Sequence, residues 1–118
     1  MEALRFDIPF PENHRSSFYM VGEHRCLTVE GWKYCDRVEA KCQLIPFEQR
    51  CPEFPVHVVA TVHPSDCAEA EVSQIGDIVH EALVNGHAIS ADVARTDLEV
   101  RVETEHRSGR VLVEITPA

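Results

Sequence analysis

Apolar and polar positions alternate along much of this chain. From Trp32 onward the even positions Trp32, Tyr34, Asp36, Val38, Ala40, Cys42 and Leu44 separate from the odd positions Lys33, Cys35, Arg37, Glu39, Lys41 and Gln43. A period of two predicts a long, half-buried strand. Upstream, Ser17, Tyr19, Val21, Leu27 and Val29 alternate likewise, and Glu30-Gly31 between the runs reads as a two-residue turn. That turn fixes a register. Val29 faces Trp32, Leu27 faces Tyr34, Cys26 faces Cys35, Arg25 faces Asp36, Val21 faces Ala40 and Tyr19 faces Cys42. Apolar residues meet apolar ones, and the one charged pair is of opposite sign.

Val56 to His63 predicts a short strand with Val56, Val58, Ala60 and Val62 on its inner face. Pro64 ends it. Asp66 with Glu69 reads as a capping box that starts a helix running to about Asn85, where Gly86 stops it. Ala68, Val72, Ile75, Val79, Ala82 and Leu83 share one stripe of that helix at 100° per residue. Leu98, Val100, Val102 and Thr104, answered by Val111, Val113 and Ile115 across Ser108-Gly109, predict a C-terminal hairpin. Its register sets Glu103 against Glu114, a like-charge opposition that destabilises a sheet and points to a shifted loop. Leu4 to Ile8 adds an N-terminal edge strand, and residues 87–96 carry no assignable pattern.

The expected fold is α+β: a single antiparallel β-sheet, formed by the long N-terminal hairpin, a short strand and the C-terminal hairpin, packed by one amphipathic α-helix. The 118 residues match one domain, spanning positions 1–118. A helix of about 19 residues spans about 28 Å, whereas a strand of about 13 residues spans about 44 Å. One helix therefore leaves part of the first hairpin bare. Leu27, Val29, Trp32 and Tyr34 near its turn are the expected interface residues, since exposed apolar patches mark contact surfaces.

Composition narrows the functions. Twenty acidic residues against eleven basic ones give a net charge of −9, which disfavours nucleic acid and anionic membranes as partners. Glu99, Glu103 and Glu105 place part of that charge on one outer strand face. No basic start followed by an apolar stretch marks a signal peptide, and no run is long enough for a membrane helix. Five cysteines with no C-x-x-C spacing suit a reducing cytoplasm better than a disulfide framework.

Three readings of function follow. The leading one is a small acidic cytoplasmic module, not an enzyme and without a cofactor. It would act by protein binding or self-association, as a homo-oligomer such as a dimer. A second reading places a small-molecule or catalytic pocket around Tyr19, Arg25, Tyr34 and Asp36, because charges that interrupt an apolar face form a polar floor when paired. A third uses His24, Cys26 and Cys35 as thiol or zinc ligands, with Cys51 or His63 as a fourth, because cross-strand neighbours are within reach of a shared metal. Cys67 beside His63, at the expected helix start, has the makings of an activated thiol, although Ser65-Asp66 is equally what capping selects.

Overall fold

The run Val56–Val62 has little polar side chain to turn to solvent, so it takes the inside of a sheet and draws partners to both its edges. The computed structural model describes residues 3–118. In chain order these form β1 (Leu4–Pro9), β2 (Phe18–Val21), β3 (His24–Leu27), α1 (Val29–Cys42), β4 (Val56–Val62), α2 (Val72–Asn85), β5 (Leu98–Val102) and β6 (Arg110–Pro117). Four strands make one sheet in the order β1-β6-β4-β5, and β2 with β3 makes a separate two-stranded sheet. The class is α+β, as expected, but the main sheet is mixed. β4 and β5 run parallel with α2 as their crossover, while β4–β6 and β1–β6 are antiparallel.

The C-terminal hairpin is corrected accordingly. β5 and β6 do not pair; each takes one edge of β4. The predicted clash of Glu103 with Glu114 therefore never arises. Glu114 faces Arg5 across β1, with Arg5 Nε 3.2 Å from its carboxylate, and the Glu103 backbone N–H donates to Val62 O at 3.0 Å. The Ser108-Gly109 turn is instead held by Asp66, which accepts from Ser108 Oγ at 2.6 Å and Gly109 N at 2.8 Å. Asp66 is thus a loop clasp, not a helix cap. A 3-10 turn at Glu69–Glu71 intervenes before α2 begins.

The largest correction concerns the run expected as a strand from Trp32 to Leu44, most of which belongs to the helix Val29–Cys42. Gly31, Tyr34, Cys35, Val38 and Cys42 are buried, at spacings of three, four, seven and eleven from the first. Period two and period 3.6 share the positions Tyr34, Val38 and Cys42, so the alternation was an alias of the helical stripe. Trp32, Asp36 and Ala40, assigned to the same face by alternation, are exposed. Local chemistry favours the helix as well. Thr28 caps it by accepting from Gly31 N at 3.1 Å, and Val29 and Val38 are its only β-branched residues.

The hairpin consequently ends earlier than expected. Its turn is Gly22-Glu23, where Gly22 at φ 63° supplies the left-handed backbone that a two-residue turn needs. Phe18 pairs with Leu27, Tyr19 with Cys26, Met20 with Arg25 and Val21 with His24.

One continuous core joins the inner face of the sheet to both helices, which pack against each other. Ile8, Val58, Ala60, Val111, Val113 and Ile115 meet Val38 and Cys42 of α1 and Ile75, Ile78, Val79 and Leu83 of α2. The predicted inner face of β4 lies in this core, as do Ile75, Val79, Ala82 and Leu83 of the predicted helical stripe, whereas Ala68 is exposed ahead of α2 and Val72, its first residue, is only half-buried. Around Gly76 the helix surface is recessed, and the Arg95 guanidinium fills the space a Cβ would occupy. Arg95 donates there to Asp77 Oδ1 at 2.9 Å, to Leu98 O at 3.0 Å and to Ser73 O at 3.3 Å, tying the approach to β5 onto α2.

Candidate functional site

The two-stranded hairpin stands apart from the main sheet, and its two faces differ. Pairing puts Phe18, Met20, Arg25 and Leu27 on one face and Tyr19, Val21, His24 and Cys26 on the other. Phe18 and Leu27 are half-buried against the core. Arg25 lies 4.3 Å over the Phe18 ring and reaches Asp77 Oδ2 of α2 at 3.3 Å, an arrangement in which a cation gains from an aromatic face as well as a carboxylate. The other face has no such cover: Tyr19 is 50% exposed and Val21 56%, and Met20 toward the tip is 60% exposed. At the adjoining start of α1, Val29 is 69% and Trp32 52% exposed.

The expected interface is therefore brought to the surface in part. Val29 and Trp32 are there, Leu27 is half-buried, and Tyr34 is buried with its hydroxyl donating to Pro9 O at 2.7 Å. Burial pushes the Tyr34 phenol far above its ordinary value. Tyr19, Met20 and Val21 belong to the exposed surface more fully than Leu27 or Tyr34. Their signal in the sequence was a four-residue run, Phe18 to Val21, with no charge in it.

The pocket expected from Tyr19, Arg25, Tyr34 and Asp36 does not form. Arg25 is committed to Asp77, Asp36 is on the exposed side of α1, and Tyr34 is beneath that helix. The pairing that motivated a thiol or zinc site is likewise absent. Cys26 faces Tyr19, and Cys35 is buried on α1, where Asn85 Nδ2 donates to its sulfur at 3.9 Å. Among the described residues no three His, Cys, Asp or Glu side chains gather as metal ligands would. All five cysteines are free. Burial pushes the Cys35 and Cys42 thiols up to about 11, keeping them protonated.

Cys67 does not sit at a helix start as expected. It precedes α2 by five residues, and its pKa is raised by burial and by the carboxylates of Glu71 and Asp66. His63 turns to Ser65 instead, its Nδ1 2.7 Å from Ser65 Oγ and accepting from Ser65 N at 3.0 Å. Other histidines tie loops together. His80 donates to Val93 O at 2.6 Å, and His106 to Arg110 O at 2.8 Å.

His14, buried in a 3-10 turn before β2, presents Nδ1 to Pro11 O at 3.0 Å and Nε2 to Glu71 Oε2 at 2.8 Å. Arg15 binds the same Glu71 oxygen, while Glu71 Oε1 accepts from Ala68 N at 3.1 Å. Hydrogen bonds from Arg15, then His14, then the Ala68 backbone hold the Glu71 carboxyl down at about 2. Every oxygen of this cluster is occupied from within the chain, which makes it a clasp between the N-terminal segment and α2.

Of the acids expected on one outer strand face, only Glu99 lies on β5, and Glu103 and Glu105 fall in the loop after it. Glu99 is flanked by Arg101 at 3.1 Å and His57 at 3.5 Å, and Glu114 by Arg5. No described helix is long and apolar enough to cross a membrane. The sequence matches no protein-family model and no curated protein.

Proposed function

We propose that this protein is a non-enzymatic binding module that pairs with a second copy of itself through the β2–β3 hairpin and the first turn of α1, in a reducing, cytoplasmic setting. One observation carries the reading. β2 contains no charged residue, exposes Tyr19, Met20 and Val21, and among the described residues pairs with no strand but β3.

An unpaired strand edge is a template for another strand, and two antiparallel copies of one edge meet naturally across a two-fold axis. Charge supports a second copy at this place in particular. Each chain carries −9, so most surface-to-surface encounters oppose carboxylates, whereas an uncharged strand lets two chains meet without that repulsion. The five free cysteines support the reducing setting.

Light scattering after size exclusion, over roughly 10 µM to 1 mM protein, tests this by the mass-action range it spans. The expected result is a mass that climbs from 13.3 kDa toward twice that value. Val21→Glu, which puts like charges across the two-fold axis, should hold the protein at the monomer mass with an unchanged thermal melt. A wild-type protein that stays at 13.3 kDa throughout overturns the proposal.

A further inference from the structure

A cleft of about 840 Å³ opens beyond the C-terminal end of α2, between the segment Cys51–Val56 on one side and Asn85, His87 and Ile89–Val93 on the other. We propose that it binds a small organic amine, an ammonium group carried on an aliphatic or aromatic body.

The volume lies within the ~300–1,000 Å³ typical of small-molecule sites. Its walls are largely apolar: Phe54, Pro55 and Val56 face Val84, Ile89 and Val93. Its charge is of one sign. Glu53, Asp92 and Asp97 line it, and no lysine or arginine does.

Some acids of this chain are neutralised from within it. Glu71, Asp77, Glu99 and Glu114 each hold an arginine. Among the described residues, Glu53 and Asp92 take part in no salt bridge, so these carboxylates are open to a cation from outside. Asp97 is partly occupied, accepting from Ala94 N at 3.1 Å. Carboxylates at the rim of an apolar cleft select a ligand with one cationic head and an apolar body, and they disfavour an anion of the same shape.

The cleft is also built before any ligand arrives. Among the described residues, the two non-glycine residues with left-handed backbone, Cys51 at φ 47° and His87 at φ 60°, both line it. Such conformations persist only where the surroundings enforce them. Here Cys51 N donates to Ala88 O at 3.2 Å and Cys51 Sγ to His87 O at 3.1 Å, joining the two walls at their base. Pre-formed walls reduce the ordering cost of binding. The hairpin lies at the other end of α1, so this site stands or falls independently of self-association.

The test is an amide-shift titration of the whole protein with 2-phenylethylammonium, using 3-phenylpropionate as the anionic counterpart of similar shape. The amine should give saturable shifts centred on Cys51–Phe54 and Ile89–Val93, and the anion should bind at least about tenfold more weakly, the scale expected from two exposed carboxylates. Glu53→Gln with Asp92→Asn should erase that preference while leaving the spectrum otherwise like the wild type. Should the double variant fold poorly, Glu53→Gln and Asp92→Asn made singly should each still weaken the amine relative to the anion. No saturable shift at about 10 mM amine, a concentration at which even weak millimolar binding registers, overturns the proposal. So does equal binding of the anion, or a response centred away from the cleft.

Discussion

The two helices are equal in length, 14 residues each, yet they begin and pack by different means. α1 starts on a hydroxyl: Thr28 accepts from Gly31 N and reaches back to Ser16 O. α2 has no side-chain cap of its own and starts from a 3-10 turn that Glu71 braces by binding Ala68 N, His14 and Arg15. The packing differs as well. α2 buries Ile75, Gly76, Ile78, Val79, Ala82 and Leu83 inside the β4–β5 crossover, while α1 buries a narrower stripe beside β1 and leaves Val29 and Trp32 outside. One helix is held by the core. The other depends more on its ends, and it carries the exposed surface.

Core truncations test this contrast most severely. Leu83 and Val38 are both fully buried. Leu83→Ala should cost about 2–5 kcal/mol by the transfer and cavity terms for the isopropyl group it loses, and Val38→Ala about 1.5–2.5 kcal/mol for the loss of two methyl groups' worth of carbon. Chemical denaturation measures both. A Val38→Ala variant less stable than Leu83→Ala would reverse the ranking of the helices.

Removing the cap of α1 is the next largest effect. Thr28→Ala should cost about 1 kcal/mol, equally at pH 7 and pH 3 because a hydroxyl does not titrate in that range. The start of α2 should behave otherwise. Its carboxylate is held at about 2 in the folded chain against an ordinary 4.5, so its contribution is complete above 4.5 and drains away as the pH falls toward 2. Melting temperatures of the wild type and Glu71→Gln should accordingly differ at pH 7 and converge below pH 4.5. A gap that persists at low pH would mean that the carboxylate's charge is not what braces the turn.

The same contrast explains what was legible in the sequence. α2 could be read because its apolar positions are dense enough that no period of two fits them. β1 and β4 were legible because their inner residues, Leu4, Phe6 and Ile8 in the one and Val56, Val58, Ala60 and Val62 in the other, recur at every second position. α1 was not, because a sparse stripe shares every fourth residue with an alternating one, and Trp32 happens to fall on the wrong side. Mistaking it for a strand carried the turn from Gly22 to Gly31, and with it every cross-strand pair from Arg25–Asp36 to Cys26–Cys35.

The C-terminal error had another source. Leu98–Val102 and Arg110–Pro117 do alternate as strands should, but local patterning cannot reveal that the stronger run Val56–Val62 claims an edge of each. The cleft was hidden for a related reason. Its walls come from the proline-bearing loop before β4 and from residues 87–96, segments without periodicity, and they meet only through tertiary structure.

Asp77 has a consequence for how parts of the molecule let go of one another. Each of its oxygens serves a different guanidinium, Oδ1 that of Arg95 and Oδ2 that of Arg25. An asparagine there offers a single acceptor and turns an amide donor toward whichever arginine loses. Arg95 keeps Leu98 O and Ser73 O as alternatives, whereas Arg25 keeps only the Phe18 ring. Asp77→Asn should therefore release the hairpin and leave β5 in place, so that hydrogen exchange quickens across residues 18–27 while residues 98–102 stay protected. Uniform loss of protection in both segments would contradict this. In the native chain one carboxylate thus fastens two segments to α2, and the hairpin is the one with fewer contacts to fall back on.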